Sequence, residues 1–251
     1  MLTIERYNLI LELIKKKKNI KLNEITNELN ISEATARRDL NFLEENGKIK
    51  RVHGGAVLVE VKEEDIDYKK YVNQEEKDKI GKKAASYIKN GDTIFLDAGS
   101  TTATIIKYLK DKEDIKVVTN GFTHIHELLK MGIETYLLGG KLKKKTGAIV
   151  GVFAVTNLKN YNFDIVFLGA NGVTEEGYST PDSEEALVKS EAINRGEKIC
   201  FLCDNSKFNK KSFINFAPLN KGYLITDTDD IPENIKENLN LEEIKWFIQW
   251  H

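Results

Sequence analysis

Residues 32–43 read SEATARRDLNFL and determine the fold of the first part of the chain. Ala36, Leu40 and Leu43 recur at the spacing that places side chains on one face of a helix. Ser32 stands where a helix N-cap belongs, a position at which Ser is preferred. The other faces carry polar and basic side chains: Thr35, Arg37, Arg38 and Asn41. The pattern predicts an amphipathic helix that buries one stripe and exposes a basic face.

Segments on both sides of this helix complete a recognisable motif. Upstream, a helix over residues 4–14 precedes a second short helix capped at Asn23, which ends in a tight turn at Asn30-Ile31. Downstream, residues 48–59 predict a strand, a turn at His53-Gly54-Gly55 and a second strand. Two short helices joined by a tight turn and followed by a hairpin are typical of a winged helix-turn-helix.

Such a motif places its second helix in the major groove of DNA, where side chains near the helix N-terminus reach base edges. A guanidinium offers a planar fork of donors to guanine or phosphate, and cations on the wing contact phosphates. Two adjacent arginines alone are more typical of a solvated helix face, so the prediction depends on the whole motif. The candidate DNA-binding residues are Ser32, Thr35, Arg37, Arg38, Asn41, Lys50, Arg51 and His53.

The composition of the chain excludes several classes of protein. Of its 251 residues 41% are hydrophobic and 31% are charged, which provides a sizeable core within a charged surface. The net charge is −1, and residues 1–60 hold eleven Lys/Arg against nine Asp/Glu, so DNA contact depends on arrangement and not on bulk charge. No apolar run approaches the roughly 20 residues of a membrane span. Without a secretory signal or a disulfide framework, we expect a cytoplasmic protein with no membrane partner.

The pattern changes at about Asn73, where short apolar segments begin to alternate with helical ones. Strands are predicted over residues 93–98, 115–119, 134–138, 164–170, 198–204 and 222–226. Helices are predicted over residues 79–89, from Thr101, from Phe122 and over residues 183–195. This alternation indicates βαβ units, and therefore an α/β domain with a mostly parallel, Rossmann-like sheet.

The charged, poorly periodic stretch at residues 60–72 separates the two patterns and is interpreted as a linker. We therefore predict a winged helix-turn-helix DNA-binding domain over residues 1–59 and a larger domain over residues 73–251.

Polar, glycine-bearing loops follow several of the predicted strands. In the loop of residues 97–102, Gly99 allows close backbone approach, and the following amides and hydroxyls face a helix N-terminus, where an anion is favoured. Ligands of open α/β sheets bind outside the carboxyl ends of the strands. Lysines there can neutralise a phosphate, and carboxylates and amides can accept bonds from sugar hydroxyls. The candidate effector-binding residues are Asp97, Gly99, Ser100, Thr101, Thr102, Asn120, Gly140, Lys141, Asn171, Glu184, Asp204 and Lys207.

Ordinary structural explanations compete with this site. The loop after Asp97 resembles a common strand-to-helix turn, and Asp204 and Lys207 can simply pair with each other. Cys200 and Cys203 are spaced as C-x-x-C, but an offset of three in a strand puts them on opposite faces, so buried core cysteines are favoured over a metal site. Residues 143–145 form either a solvated lysine loop or one that attracts phosphate, and solvation is favoured. We predict no metal, no cofactor and no catalytic residue.

Two runs in the first domain resemble the N-terminal domain of DeoR/GlpR-family bacterial transcriptional regulators, namely residues 32–40 and Arg51-Val52-His53-Gly54-Gly55-Ala56. Ala36 departs from the family, which commonly has a larger aliphatic residue there. Stretches of the second domain resemble the sensor domain of the same family, which is related in fold to ribose-5-phosphate isomerase. These stretches are residues 97–101, 169–173, 177–182 and 204–208.

The resemblance implies a regulator, usually a repressor of carbohydrate metabolism, that releases operator DNA when a phosphorylated sugar binds. Residues 180–186 look most like members that control sugar phosphotransferase operons. We expect a homodimer or homotetramer, because one winged domain buries little surface on DNA. The alternative is a sugar-phosphate isomerase with an appended DNA-binding module, since the fold is shared with an enzyme.

Overall fold

The computed structural model describes residues 3–17, 19–45, 49–52, 54–58 and 72–239. The chain divides into two compact units, Met1–Val72 and Asn73–His251. Of the predicted linker, residues 60–71 lie outside the described residues. In the part of the chain that is described, every helix is too short or too polar to span a bilayer.

The first unit combines helices with a small antiparallel sheet, as predicted for a winged helix-turn-helix. The sheet has the strand order β1-β3-β2. Its elements are α1 (Thr3–Lys17), β1 (Asn19–Lys21), α2 (Leu22–Leu29), α3 (Glu33–Glu45), β2 (Ile49–Val52) and β3 (Gly55–Leu58). Strands β2 and β3 form the wing, and they are paired from Ile49–Leu58 to Val52–Gly55.

Helix α2 begins two residues earlier than a cap at Asn23 would place it. Lys21 occupies the cap position and Leu22 is already helical, so the assignment of Asn23 as the cap is wrong. The carboxylate of Glu24 accepts a hydrogen bond from the Lys21 backbone N–H at 2.8 Å, which satisfies an amide at the helix start. Asn30 ends the helix with φ 49°, a left-handed conformation that Asn tolerates, and this confirms the tight turn.

Helix α3 has the amphipathic character that its sequence predicts. The Ser32 hydroxyl accepts a hydrogen bond from the Thr35 backbone N–H at 3.2 Å, as a cap does. Ala36, Leu40 and Leu43 are fully buried. They pack in one apolar cluster with other buried side chains of the unit: Ile10, Leu11, Ile14, Ile20, Ile25, Ile49 and Ala56. Burial of this stripe orients the remaining faces of α3 outward.

The second unit is built on a six-stranded sheet. The strands of the whole unit, including those of two smaller sheets, are β4 (Thr93–Leu96), β5 (Lys116–Thr119), β6 (Glu134–Leu137), β7 (Lys141–Leu142), β8 (Ile149–Val150), β9 (Phe163–Gly169), β10 (Gly172–Thr174), β11 (Gly177–Thr180), β12 (Gly196–Leu202), β13 (Ile214–Ala217) and β14 (Tyr223–Ile225). Its α-helices are α4 (Gln74–Ala85), α5 (Ser100–Ala103), α6 (Ile125–Lys130), α7 (Val152–Leu158), α8 (Ser183–Arg195) and α9 (Glu233–Lys236). The central sheet has the order β14-β12-β9-β4-β5-β6.

All neighbours in the six-stranded sheet are parallel, which confirms the predicted α/β architecture. The sheet is buried on both faces, since Phe95 and Val166 belong to one apolar cluster while Ile94 and Ile165 belong to another. Burial on both faces explains the apolar runs in the sequence. The small antiparallel sheet β10-β11-β13 and the hairpin β7-β8 are not predicted by the sequence patterns, because their strands are two to four residues long.

Candidate DNA-binding helix and sensor site

The exposed face of α3 carries two arginines in different environments. Arg37 Nε donates to the carboxylate of Glu33 at 2.9 Å, one turn back along the helix. Arg38 is exposed, and no carboxylate of the described residues lies within ion-pair distance of it. Arg38 is therefore a cation that α3 presents outward without a partner in that part of the chain.

The wing is attached to α3 through a third arginine. Arg51 NH1 donates to Asn41 Oδ1 at 2.5 Å, and the Arg51 backbone N–H donates to the carboxylate of Glu44 at 2.7 Å. These bonds hold β2 beside the exposed face of α3. The side chain of Lys50 and the whole of His53 lie outside the described residues.

A further ion pair in this unit is absent from the sequence prediction. Arg6 contacts Asp39 through two bonds, Nε to Oδ2 at 2.5 Å and NH2 to Oδ1 at 2.9 Å. Asp39 is 1% exposed, so this bidentate pair joins α1 to the inner side of α3. The hydrogen bond to Asp39 raises the pKa of Arg6. The sequence signal for this pair is the position of Asp39 directly before Leu40, which belongs to the buried stripe of α3.

In the second unit, four neighbouring strands end at one edge of the sheet. Leu202 of β12 pairs with Gly169 of β9. Leu96 of β4 pairs with Thr119 of β5. The loops that follow these strands carry polar residues of the predicted sensor site: Asp97, Asn120, Asn171 and Asp204. The topology therefore places these loops on adjacent strands, where ligands of open α/β sheets bind.

Asp97, directly after β4, is engaged by a buried lysine that the sequence interpretation missed. Lys189 of α8 donates to Asp97 Oδ2 and also to the Gly169 carbonyl at 3.0 Å. The Gly169 backbone N–H donates to the same carboxylate oxygen at 3.0 Å. The two charged side chains are 4% and 2% exposed. Lys189 thus ties α8 to the ends of β4 and β9.

The helix predicted from Thr101 is a single turn, since α5 spans only Ser100–Ala103. The hydroxyl of Thr102 is buried and donates to the backbone carbonyls of Asp97 and Gly99 at 2.6 and 3.0 Å. Thr102 therefore shapes the loop from within. Ser100 and Thr101 are 9% exposed, and their hydroxyls bond to no other described residue.

The two amide side chains of the predicted site are also engaged within the protein. Asn120 is 1% exposed; its Oδ1 accepts from the Ala98 backbone N–H at 2.8 Å, so it joins the loops after β4 and β5. Asn171 accepts from the Thr180 hydroxyl at 3.4 Å. Both side chains therefore stabilise the loops that follow the strands.

The hairpin of β7 and β8 is attached to the first turn of α8 by lysines. Lys141 Nζ lies 2.8 Å from Glu184, and Lys143 Nζ lies 2.8 Å from Asp182 and 3.0 Å from Glu185. The interpretation of residues 143–145 as a solvated loop is therefore wrong for Lys143, whose side chain is 12% exposed.

Gly140 precedes this hairpin with φ 151°. A Cβ there would lie 2.5 Å from the Val150 carbonyl oxygen, so the backbone approach requires glycine.

Asp204, after β12, retains an unused acceptor. Its Oδ1 accepts from Asn73 Nδ2 at 3.0 Å and from the Ser206 backbone N–H at 3.1 Å. Its Oδ2 is buried with no hydrogen-bond partner among the described residues. Burial alone raises the pKa of Asp204, but the charge of Lys207 and the hydrogen bonds outweigh burial, so the pKa is lowered and the group is ionised at neutral pH.

Lys207 follows Asp204 but is not paired with it. Within the described residues, Lys207 has no carboxylate within 4.0 Å. The two groups act on each other through their charges but form no direct ion pair, and Asp204 also accepts hydrogen bonds from Asn73 and Ser206.

The two cysteines are buried in the core, as predicted. Cys200 packs in the apolar cluster on one side of the central sheet, and Cys203 packs in the cluster on the other side. Burial raises the pKa of each thiol to about 12. Because a buried thiol with a raised pKa stays protonated at neutral pH, neither cysteine is a reactive nucleophile.

Two family models match the chain in succession. The model described as the DeoR-like helix-turn-helix domain matches residues 6–62, and that described as the DeoR C terminal sensor domain matches residues 72–228. A similar relative is the HTH-type transcriptional regulator FruR of Bacillus subtilis (strain 168), 44% identical over 98% of this chain and 100% of the relative. The lactose phosphotransferase system repressor of Lactococcus lactis is 38% identical over 92% of this chain and 94% of the relative.

Solved structures also resemble the chain. Ribose 5-phosphate isomerase A from Methanocaldococcus jannaschii has a TM-score of 0.41 at 21% identity and covers 54% of this chain and 55% of its own. The tetrameric eIF2B-beta2-delta2 complex from C. thermophilum has a TM-score of 0.49 at 13% identity and covers 90% of this chain and 82% of its own.

A helix-turn-helix unit followed by a sensor unit defines a transcriptional regulator that carries its own sensor. The chain belongs to the DeoR family of these regulators. Its relatives are named regulators and repressors, so the protein is a regulator and the alternative of an isomerase is not supported.

Proposed function

We propose that the protein represses a sugar uptake or catabolism operon of the phosphotransferase type and leaves its operator when a phosphorylated sugar binds the second unit. The observation that carries this proposal is the edge of the sheet at which four strands end in polar loops, where Asp204 Oδ2 is buried with no donor among the residues that the structure describes. The naming of a similar relative as a lactose phosphotransferase system repressor supports the choice of operon.

The effector site would bind the sugar and the phosphate group of the ligand through different side chains. Asp204 is the acceptor for a sugar hydroxyl, because Asp97 and Glu184 are already paired with Lys189 and Lys141. Lys207 is the cation for the phosphate. The hydroxyls of Ser100 and Thr101 supply further donors, with Gly99 allowing close approach.

Lys141 would reach the phosphate only by leaving Glu184, which lies 2.8 Å away. Both side chains are partly exposed, so this exchange costs little. Gly140 fixes the backbone that carries Lys141.

The DNA contact would be made by the outer face of α3 and by the wing. Arg38 reaches base edges or phosphates directly, while Arg37 must first leave Glu33. Arg51 and Asn41 form a joined polar surface beside them. The sequence adds Lys50 and His53 as candidate phosphate contacts. Ser32 and Thr35 lie at the start of the helix, where their hydroxyls contact the DNA backbone.

The regulation follows from linkage. A sugar phosphate that binds the DNA-incompetent arrangement more tightly weakens operator binding, and the operator weakens sugar-phosphate binding by the same factor. We further propose that the protein acts as a homodimer or homotetramer, so that two winged domains reach half-sites about one helical turn apart.

The test is an operator titration of the full-length protein by fluorescence anisotropy, with an operator duplex selected from random DNA. Hexose and pentose phosphates are added in turn, and free sugars and inorganic phosphate are the controls. The proposal expects release by at least one sugar phosphate and by neither control. Conversion of a sugar phosphate into its isomer would instead favour an enzyme.

A further inference from the structure

Asn73 is the first residue of the second unit and occupies the N-cap position of α4. Asn is preferred there because its side chain usually accepts a hydrogen bond from an amide of the first helical turn. In this chain the side chain makes no such bond. Its Nδ2 donates to Asp204 Oδ1 at 3.0 Å, to a residue 131 positions away. The amide therefore serves a contact with the sensor site and not its own helix.

The backbone of Asn73 adopts a special conformation at the start of α4. Asn73 has φ 52° and ψ 46°, in the left-handed region that Asn tolerates better than most residues. Its carbonyl accepts the Lys77 backbone N–H at 3.0 Å, which begins α4. The conformation of Asn73 therefore fixes the first backbone turn of the second unit.

The other end of the contact is a carboxylate with one oxygen still without a partner. Asp204 is 1% exposed, and its Oδ2 has no hydrogen-bond partner among the described residues. A buried carboxylate oxygen without a donor costs free energy, so a ligand hydroxyl that reaches it binds favourably. The same carboxylate thus holds Asn73 with Oδ1, while its Oδ2 is the oxygen that a donor of the ligand would engage.

We infer that the hydrogen bond between Asn73 and Asp204 transmits occupancy of the sensor site to the segment that leads to the DNA-binding unit. This inference rests on the proposed function and adds the route by which effector binding is transmitted. A donor that engages Oδ2 reorients the carboxylate and withdraws charge from Oδ1, which weakens the bond to Asn73. Asn73 is a positioning residue: it contacts no effector and acts through Asp204.

A double-mutant cycle on operator binding tests the contact without any effector. Asn73→Gly removes the amide while keeping the left-handed backbone accessible, and Asp204→Ala removes the oxygen that accepts from it. Each single variant is expected to lower operator affinity about tenfold, and the double variant to lower it no further, because both changes break one contact. Additive losses, or single variants with unchanged affinity, would overturn the inference.

Asn209→Gly is the matched control. Asn209 is also left-handed, with φ 54°, and its side chain bonds to Asn234 and not to Asp204. This control is expected to bind the operator as the unmodified protein does. A second variant, Asn73→Asp, places a carboxylate against Asp204 and should reproduce the loss seen with Asn73→Gly. Thermal melting shows whether each variant is folded.

A second measurement separates transmission from a merely structural role. Glucose 6-phosphate, fructose 1-phosphate and fructose 6-phosphate are titrated calorimetrically into the Asn73→Gly variant and its operator complex. Effector affinity is expected to stay within about threefold of the unmodified protein, while its dependence on operator disappears. Retained dependence would overturn the inference. If no sugar phosphate affects the unmodified protein, the proposed function fails, whereas the effector-free cycle still decides the role of Asn73.

Discussion

Lys189 and Asp97 form a buried ion pair between a helix and a strand end that are 92 positions apart in the sequence. Lys189 projects from α8, and Asp97 follows β4. The pair is supported by the backbone of Gly169, whose N–H donates to the carboxylate and whose carbonyl accepts from the ammonium. Three elements that border the sensor site are therefore held by one charged contact.

Lys189→Ala is expected to destabilise the protein strongly. Removing the ammonium leaves the Asp97 carboxylate buried and without its counter-charge, a change that typically costs about 3–5 kcal/mol. Urea unfolding of the full-length protein measures this loss. Lys211→Ala is the matched control, because Lys211 pairs with Glu176 at the surface and such pairs are worth about 0–1 kcal/mol. Equal losses for the two variants would show that burial of the pair has no special role.

Arg38→Ala is expected to weaken operator binding by about 1–3 kcal/mol, because Arg38 is the arginine of α3 that no described carboxylate neutralises. Arg37→Ala should cost less, since Arg37 must give up Glu33 to reach DNA. Gel-shift titrations at one fixed salt concentration compare the two, since phosphate contacts depend on salt. Lys130→Ala, an exposed change on the second unit, is the control. A larger loss of operator affinity for Arg37→Ala than for Arg38→Ala would show that Arg37, and not Arg38, makes the stronger DNA contact.

Lys207→Ala is expected to leave operator binding unchanged and to weaken sugar-phosphate binding about 10- to 100-fold, as loss of a charge-assisted bond does. Calorimetry with the hexose phosphate that releases the operator measures the effect. Lys221→Ala, at an exposed lysine of the second unit, controls for net charge. If Lys207→Ala binds the sugar phosphate normally, the phosphate lies elsewhere.

Asp182→Asn gives a pH-dependent prediction. Burial alone raises the pKa of Asp182, but the bond from Lys143 and the amide of Glu185 outweigh it, so the folded-state pKa is lowered. A lowered carboxylate pKa stabilises the fold above the unfolded pKa of about 3.9, and this contribution disappears as pH falls through the folded value. Asn caps a helix as well as Asp does, so the variant removes only the charge.

The unmodified protein should therefore exceed Asp182→Asn in unfolding free energy by about 1 kcal/mol at pH 7. The difference should shrink as the pH is lowered from about 5 to 3. Urea unfolding at a series of pH values measures it. A difference that stays constant down to pH 3 would contradict the ionised pair between Asp182 and Lys143.

The elements that the sequence predicts well are those set by local periodicity. The buried stripe of Ala36, Leu40 and Leu43 repeats every three or four residues, and α8 has the predicted bounds because its buried face repeats likewise. The predicted helix from Thr101 fails after one turn. The hydroxyl of Thr104 donates to the Thr101 carbonyl at 2.6 Å and competes with helical hydrogen bonding.

The contacts within the site are harder to predict because they join distant parts of the chain. Glu185 and Lys189 stand four residues apart, a spacing typical of an exposed ion pair on a helix. Both are buried and pair instead with Lys143 and Asp97. Local spacing identifies the strand-end loops but does not show which of their side chains are already engaged. Only the fold distinguishes Asp97, which is paired, from Asp204, which retains a free acceptor oxygen.

The central claim is that a phosphorylated sugar bound to the second unit weakens the hold of the first unit on DNA. The direct measurement is the operator dissociation constant of the full-length protein with and without each hexose phosphate. We predict that at least one of them raises this constant tenfold or more, a coupling of about 1.4 kcal/mol, and that operator weakens its binding by the same factor. An operator dissociation constant that no phosphorylated sugar changes would contradict the claim.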